Sequence, residues 1–278
     1  MKLGDKRLDL SRPQIMAIVN VTNDSFFDGG RFTGEDAIAA RVLQVVEEGT
    51  AIVDIGGYSS RPNATDVSIE EEWLRVKSGL SVVRRLAEDV AVSIDTFRAE
   101  VARRAVEEFG EVIINDISAG EIDPDIIDVA AKYRLPYVAM HMRGTPQTML
   151  SMTDYPRGVT EEVCDYFQER VAYLRERGVE QIVLDPGFGF AKTTEQNYEL
   201  LAGLNRLCDL GYPVLAGLSR KSMIYKVLDV TSAEALNGTT ALNWEALRQG
   251  ATILRVHDVR EAAETVKLFE AYNKRVLH

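Results

Sequence analysis

Eight short apolar runs, near 14–19, 51–53, 90–94, 112–114, 135–140, 182–184, 213–218 and 252–256, punctuate the chain and leave room for a helix after each. Most are rich in Ile and Val, and their continuity fits strands buried on both faces, as in a parallel sheet, better than the alternating strands of a half-exposed one. Between them the period changes. Over 98–109, Val101, Ala102, Ala105, Val106 and Phe109 share one side while Glu100, Arg103, Arg104, Glu107 and Glu108 lie off it, the repeat of about 3.6 residues of an amphipathic helix. Gly110 stops it. Val259, Ala262, Ala263, Val266 and Phe269 repeat the pattern, and 36–48, 69–87, 124–133, 159–177, 194–210 and 233–249 read the same way. Strand-plus-helix units without a Gly/Ser/Pro-rich linker predict an α/β fold, one (β/α)8 TIM barrel over 1–278 with its active site at the C-terminal ends of the strands. A doubly wound open sheet is the alternative.

Each apolar run ends on polar residues: Asn20, Asp54, Asp95, Asn115 with Asp116, His141, Asp185, then Ser219, Arg220 and Lys221, and finally Arg255 with His257. Any one of these could be a helix cap or a turn residue. Their recurrence after every run is the pattern of a barrel mouth, where residues far apart in sequence converge. Arg255 and His257, on alternate positions, share a side of their strand, and with Arg61 they suit phosphate binding. Asp95, Asn115 and Asp185, with Lys221 as donor, suit a polar heterocycle bearing amino, ring N–H and carbonyl groups. A hard cation on Asp54, Asp95 and Asp185 is the rival reading.

Charge narrows the partners. Forty-three Asp and Glu outweigh 32 Lys and Arg, for a net charge of −11, the wrong sign for a nucleic-acid or anionic-membrane binder. With 46% hydrophobic and 27% charged residues the composition is that of a globule with a sizeable core. Cys164 and Cys208 fall on apolar helix faces, as buried thiols rather than a disulfide, which points to a reducing compartment. No apolar run nears the ~18 residues of a membrane span and the N-terminus lacks a signal-peptide core, so a cytoplasmic location is expected.

Several chemistries lack support. No Gly-x-Ser-x-Gly elbow is present, neither cysteine ends a strand beside a histidine, and no His and Cys pair has zinc spacing. Asp185-Pro-Gly-Phe-Gly-Phe-Ala-Lys lacks the third glycine of a dinucleotide fingerprint, and Gly217-Leu-Ser-Arg-Lys-Ser222 lacks the Gly-Lys-Ser/Thr of a P-loop. Ser222 and the backbone N–H groups after it suit a carboxylate at a helix start.

Taken together, Ile18-Val-Asn-Val-Thr-Asn-Asp-Ser-Phe-Phe-Asp-Gly-Gly30, Asp54-Ile-Gly-Gly-Tyr-Ser-Ser-Arg-Pro62, Ser93-Ile-Asp-Thr-Phe97, Ile114-Asn-Asp-Ile-Ser118, Met140-His-Met-Arg-Gly-Thr-Pro-Gln-Thr-Met149, Asp185-Pro-Gly-Phe-Gly-Phe190, Ser219-Arg-Lys-Ser222 and Arg255-Val-His-Asp258 resemble the dihydropteroate synthases, folate-pathway transferases that join p-aminobenzoate to a pterin pyrophosphate. The resemblance implies a pterin site of Asp95, Asn115, Asp185 and Lys221 with Asp54 beside it. It implies Mg2+ on Asn20, and pyrophosphate on Arg255 and His257. It further implies closing loops with Asp24, Ser25 and Phe26, and with Ser59, Ser60, Arg61 and Pro62. These loops, with Phe190, Lys221 and Ser222, would form the pocket for p-aminobenzoate, the substrate that sulfonamides imitate. Catalytic duty would fall to Asp95, Asp185, Lys221 and Arg255, and the resemblance suggests a homodimer. Departures cluster in the loops: Asn23 stands for the usual Pro, Phe27 for Ser, and Tyr58, Ser60 and Asn63 for Glu, Thr and Gly. Loss of Pro at 23 is expected to loosen the first loop.

Such a site suits departure of pyrophosphate before attack, with carboxylates stabilising a methylene cation and a neutral aniline needing no strong base. A methyltetrahydrofolate methyltransferase domain would use Asp95, Asn115 and Asp185 in the same way but has no need of a pyrophosphate site. A non-catalytic pterin-binding paralogue has no use for the full set of charged residues.

Overall fold

The Ile- and Val-rich runs become parallel strands in the computed structural model, which describes residues 1–4, 6–21, 34–59 and 66–276. These are β3 (Gln14–Asn20), β4 (Ile52–Gly56), β5 (Ala91–Asp95), β6 (Ile113–Asp116), β7 (Tyr137–Met140), β8 (Ile182–Asp185), β9 (Leu215–Ala216) and β10 (Ile253–Val256), preceded by a small antiparallel hairpin of β1 (Lys2–Leu3) and β2 (Lys6–Arg7). In space they run β8-β7-β6-β5-β4-β3-β10-β9. A parallel bridge between Leu184 and Val214 joins the two ends, so the sheet curls into the expected barrel and leaves no long open edge.

Around it lie α1 (Gly34–Glu47), α2 (Ile69–Leu86), α3 (Ala99–Phe109), α4 (Asp125–Lys132), α5 (Val159–Glu176), α6 (Thr194–Ala202), α7 (Leu204–Cys208), α8 (Ser222–Leu228), α9 (Leu236–Arg248) and α10 (Val259–Val276). Strand residues of one parity, such as Val53, Ile55, Val92, Ile94, Ile114 and Leu254, point outward into a core shared with the apolar helix faces. Those of the other parity point inward. Met16, Ile52, Ala91, Ile113, Val138, Val183, Leu215 and Ile253 form a second cluster, with Leu3 of the hairpin packed into it. That layer floors the barrel, and the mouth begins above it.

Local departures from the periodic pattern have identifiable causes. The helix expected over 194–210 divides at Gly203, where a Cβ would stand 2.6 Å from Thr160 Cγ2 and where Thr160 Oγ1 donates to Glu199 O at 3.2 Å. The run at 213–218 yields only a two-residue strand, and α8 intervenes before the helix expected over 233–249. Cys164 is buried and Cys208 half-buried, both as free thiols, and Cys208 Sγ donates to Gln249 O at 3.5 Å. Burial pushes both thiols above their ordinary pKa, Cys208 to about 11. No helix among the described residues is long and apolar enough to cross a membrane.

Candidate functional site

Along a strand, positions two apart face the same way, and this spacing carries polar chemistry onto the barrel floor. Ile52 is followed by Asp54, Ile113 by Asn115, Val183 by Asp185 and Ile253 by Arg255, while Ala91 is followed by Ser93 and then Asp95. Register completes the ring: Asn20 pairs with Gly56, Gly56 with Asp95 and Asp95 with Asn115. Gly56 keeps the gap open, since a Cβ there would stand 3.2 Å from Asn20 Oδ1 and 3.7 Å from Asp95 Cβ.

Arg255 is the hub. Its Nε donates to Asp54 Oδ2 at 2.7 Å and its Nη2 to Asp95 Oδ2 at 2.7 Å, while Asn115 Nδ2 donates to Asp54 Oδ2 at 3.1 Å. The guanidinium thus bridges Asp54 and Asp95, two of the three carboxylates of the hard-cation reading. Of the two residues expected to bind phosphate, Arg255 commits its Nε and Nη2 to carboxylates. Asp54 Oδ1 is buried and has no hydrogen-bond partner among the described residues, a spare acceptor facing a site built for donors.

Burial governs protonation here. It pushes Asp95 up to about 7, against the pull of the Arg255 charge. It also raises Asp185, which Lys221 and the 2.8 Å hydrogen bond from Gly187 N oppose. Lys221 goes down to about 8 by burial, with Asp185 resisting and Arg255 adding to the fall. Burial disfavours charge on Arg255 as well, but Asp54 and Asp95 outweigh it and hold the guanidinium protonated above its ordinary range. Burial and the neighbouring Arg255 charge bring His257 down to about 4, so its ring is neutral. Ser219 Oγ accepts from His257 N at 3.2 Å and lies 3.0 Å from Nδ1. With Ser219 Oγ giving its own proton to Nδ1, the ring proton would lie on Nε2.

Lys221 returns to the mouth at the start of α8, next to Ser222. Its Nζ donates to Phe188 O and stands 4.9 Å from the Phe190 ring centroid, while an added Cβ on Gly217 would be 3.9 Å from it. Asp54, Asp95, Asn115, Asp185, Phe190, Lys221 and Arg255 are therefore one constellation, with His257 two residues beyond Arg255 on the same side of the strand and Asn20 at the rim. Phe26, Ser60, Arg61 and Pro62, like Asn23, Asp24, Ser25, Phe27 and Asn63, lie outside the described residues.

Other strand-end residues turn away. Asp116, one step past Asn115, accepts from Ser118 N at 2.8 Å, Gly120 N at 2.7 Å and Tyr137 Oη at 2.5 Å, so it ties down its own loop. Arg220 pairs in a bidentate manner with Asp258, both bonds at 2.8 Å. Sequence reasoning also missed Glu72. Completely buried on α2, it accepts from Thr96 Oγ1 at 2.6 Å and Arg98 Nη1 at 2.9 Å and so anchors the segment just after Asp95. Thr96 in the Ser93–Phe97 motif was the one available signal.

Comparison with known proteins places these features in context. The sequence profile of the family described as pterin binding enzyme matches residues 16–257. Dihydropteroate synthase of Haemophilus influenzae is 44% identical over 275 residues, 98% of each chain. Among solved structures, dihydropteroate synthase of Xanthomonas albilineans with 4-aminobenzoic acid superposes with a TM-score of 0.87 at 41% identity, covering 96% of this chain and 95% of that one. The same enzyme in complex with 7,8-dihydropteroate gives 0.84 at 39% identity, with the same coverage.

Proposed function

The chain belongs to the family of pterin-binding enzymes, and we infer that it works there as a dihydropteroate synthase, joining 6-hydroxymethyl-7,8-dihydropterin pyrophosphate to p-aminobenzoate with release of pyrophosphate. The observation that carries this reading is the convergence of Asp95, Asn115, Asp185 and Lys221 from separate βα units onto one barrel mouth, in a chain whose relatives are dihydropteroate synthases. Purified protein given both substrates and Mg2+ is expected to form dihydropteroate and pyrophosphate in equal amounts. Absence of both products would refute the reading.

Asp95, Asn115 and Asp185 would take the amino and ring N–H groups of the pterin, and Asp54 Oδ1 has spare capacity for one more donor. Lys221 would donate to the ring and, beside Phe190 and Ser222, face the aminobenzoate. The bond from the methylene carbon to the pyrophosphate oxygen breaks, and its electron pair leaves with pyrophosphate. The aniline nitrogen then bonds to the carbon and loses its proton to solvent. Three carboxylates, Asp54, Asp95 and Asp185, outnumber Arg255 and Lys221, so the mouth favours a cation on the pterin side. His257 Nε2–H, with Arg61, would meet the leaving pyrophosphate as a neutral donor, and Arg255 holds Asp54 and Asp95 in place.

Among the described residues no three His, Cys, Asp or Glu side chains gather as a metal site. Asn20 offers one amide oxygen at an exposed rim, which fits a Mg2+ that keeps most of its waters and takes the rest of its shell from phosphate oxygens. When bound there, Mg2+ would neutralise charge on the leaving group.

The pKa shifts give a pH profile. The reaction needs Asp95 ionised and Lys221 protonated, so kcat/KM falls as pH drops through about 7 and as it rises through about 8. In Lys221→Arg the alkaline limb is expected to vanish, because guanidinium keeps its proton. An unchanged alkaline limb would assign it to another group.

A cytoplasmic location and a homodimer belong to the same proposal. Exposed Val227 and Leu228 on α8 and Leu268 and Tyr272 on α10 supply apolar surface for association.

A further inference from the structure

His141 follows β7 and Lys192 follows the Asp185 loop, yet the reaction above uses neither. Both are buried, with 3% and 9% of their surface exposed. Lys192 Nζ has three partners there: Gly187 O at 3.0 Å, Phe190 O at 2.9 Å and His141 Nδ1 at 3.0 Å. An ammonium has three protons for three acceptors. Burial, with the charges of Lys192 and Arg143, drives His141 well below its ordinary pKa, so the imidazole is neutral and can receive on Nδ1. Burial also pulls Lys192 well below its ordinary pKa, with Asp185 opposing and the charges of Lys221 and Arg143 adding to the fall.

The two carbonyls belong to the turn that aims the site. Gly187 N donates to Asp185 Oδ1 at 2.8 Å and Phe190 N returns to Gly187 O at 3.0 Å. The turn lies directly against the end of β7: a Cβ on Gly187, whose φ is +68°, would stand 2.0 Å from His141 O. Lys221 holds Phe188 O from the mouth, and Lys192 holds Gly187 O and Phe190 O from within the protein. On its other flank the His141 ring meets Tyr166 edge-on, centroids 4.8 Å apart, which fixes the imidazole that completes the Lys192 set.

We propose that His141 and Lys192 are a positioning pair for pterin recognition, acting through the 187–190 turn to set Asp185, without touching substrate. This rests on the synthase reading, and His141 owes its place at a strand end to Lys192 rather than to a ligand.

The test is calorimetric titration of 6-hydroxymethylpterin and, separately, inorganic pyrophosphate into wild type, Lys192→Met, His141→Leu, the double variant and His141→Asn. Asparagine Oδ1 takes the place of Nδ1 as acceptor, while leucine fills space without one. Expected are a loss of pterin affinity of about tenfold or more in Lys192→Met and His141→Leu, no further loss in the double variant, and recovery to within about threefold in His141→Asn. Pyrophosphate affinity should not move. Equal pterin affinity in wild type and His141→Leu would overturn the pairing, as would His141→Asn binding no better than His141→Leu, since a space-filling role does not distinguish them in that direction. Should Lys192→Met fail to fold, the two His141 variants alone decide. A wild-type protein that binds no pterin would refute the synthase reading itself, and the pairing with it.

Discussion

Replacing Arg255 with methionine is expected to cost about 3–5 kcal/mol of folding stability at pH 8, the scale for breaking a buried ion pair by removing one partner. Asp54 is fully buried and Asp95 partly so, and both accept from the one guanidinium. Without it the two carboxylates lose their shared cation in a low dielectric, and protonation relieves their repulsion. Asp95, already raised by burial to about 7, rises further. A carboxylate pKa raised on folding favours the folded state below the unfolded value, and that advantage is lost as pH climbs through the folded one. The deficit should therefore shrink at pH 5 relative to pH 8, and adding Asp95→Asn should recover part of it. Urea denaturation at the two pH values checks this, and wild-type stability in Arg255→Met at pH 8 would show that the guanidinium does not carry the pair.

Asp95→Asn alone is expected to separate stability from activity. Arg255 keeps Asp54 as a partner, so the fold should lose little. A negative charge assigned to stabilise the developing cation is gone, and kcat/KM should fall by about 10²–10³, the loss seen when one preorganised electrostatic group is removed. Steady-state kinetics with p-aminobenzoate saturating, run beside a thermal melt, measures both. Turnover near that of wild type would mean that Asp95 only binds the pterin. The acid limb of the pH profile should disappear with the side chain.

Much of this was legible because parallel-barrel physics writes itself into sequence. Runs such as Ile182–Leu184 must be apolar on both faces, and the residue closing each run must lie at the mouth. Terminal position identifies a candidate, but strand parity decides its direction. Asn115 and Asp116 are neighbours with the same polarity, yet one enters the site and the other clamps Tyr137 and its own loop. The β1–β2 hairpin left no pattern, since strands of two residues have no period, although Leu3 fills the barrel floor. α8 was hidden because its seven residues follow a strand run that breaks early at Gly217. Glu72 and Lys192 were missed for a shared reason: charged residues in helical or loop patterns read as solvated, and only three-dimensional partners reveal that Thr96 and Arg98, or His141 and two carbonyls, justify their burial. At Arg255 the chemistry was legible but the partners were not, because spacing cannot tell a phosphate from two carboxylates donated by strands far away in sequence.

The most direct test of the central claim is a crystal structure of the protein with 6-hydroxymethylpterin bound. The account predicts the ring in the barrel mouth, its amino and ring N–H groups on Asp95, Asn115 and Asp185, with Lys221 donating to it and Arg255 still bridging Asp54 and Asp95. A pterin bound elsewhere, or one in the mouth that touches none of Asp95, Asn115 and Asp185, would contradict it.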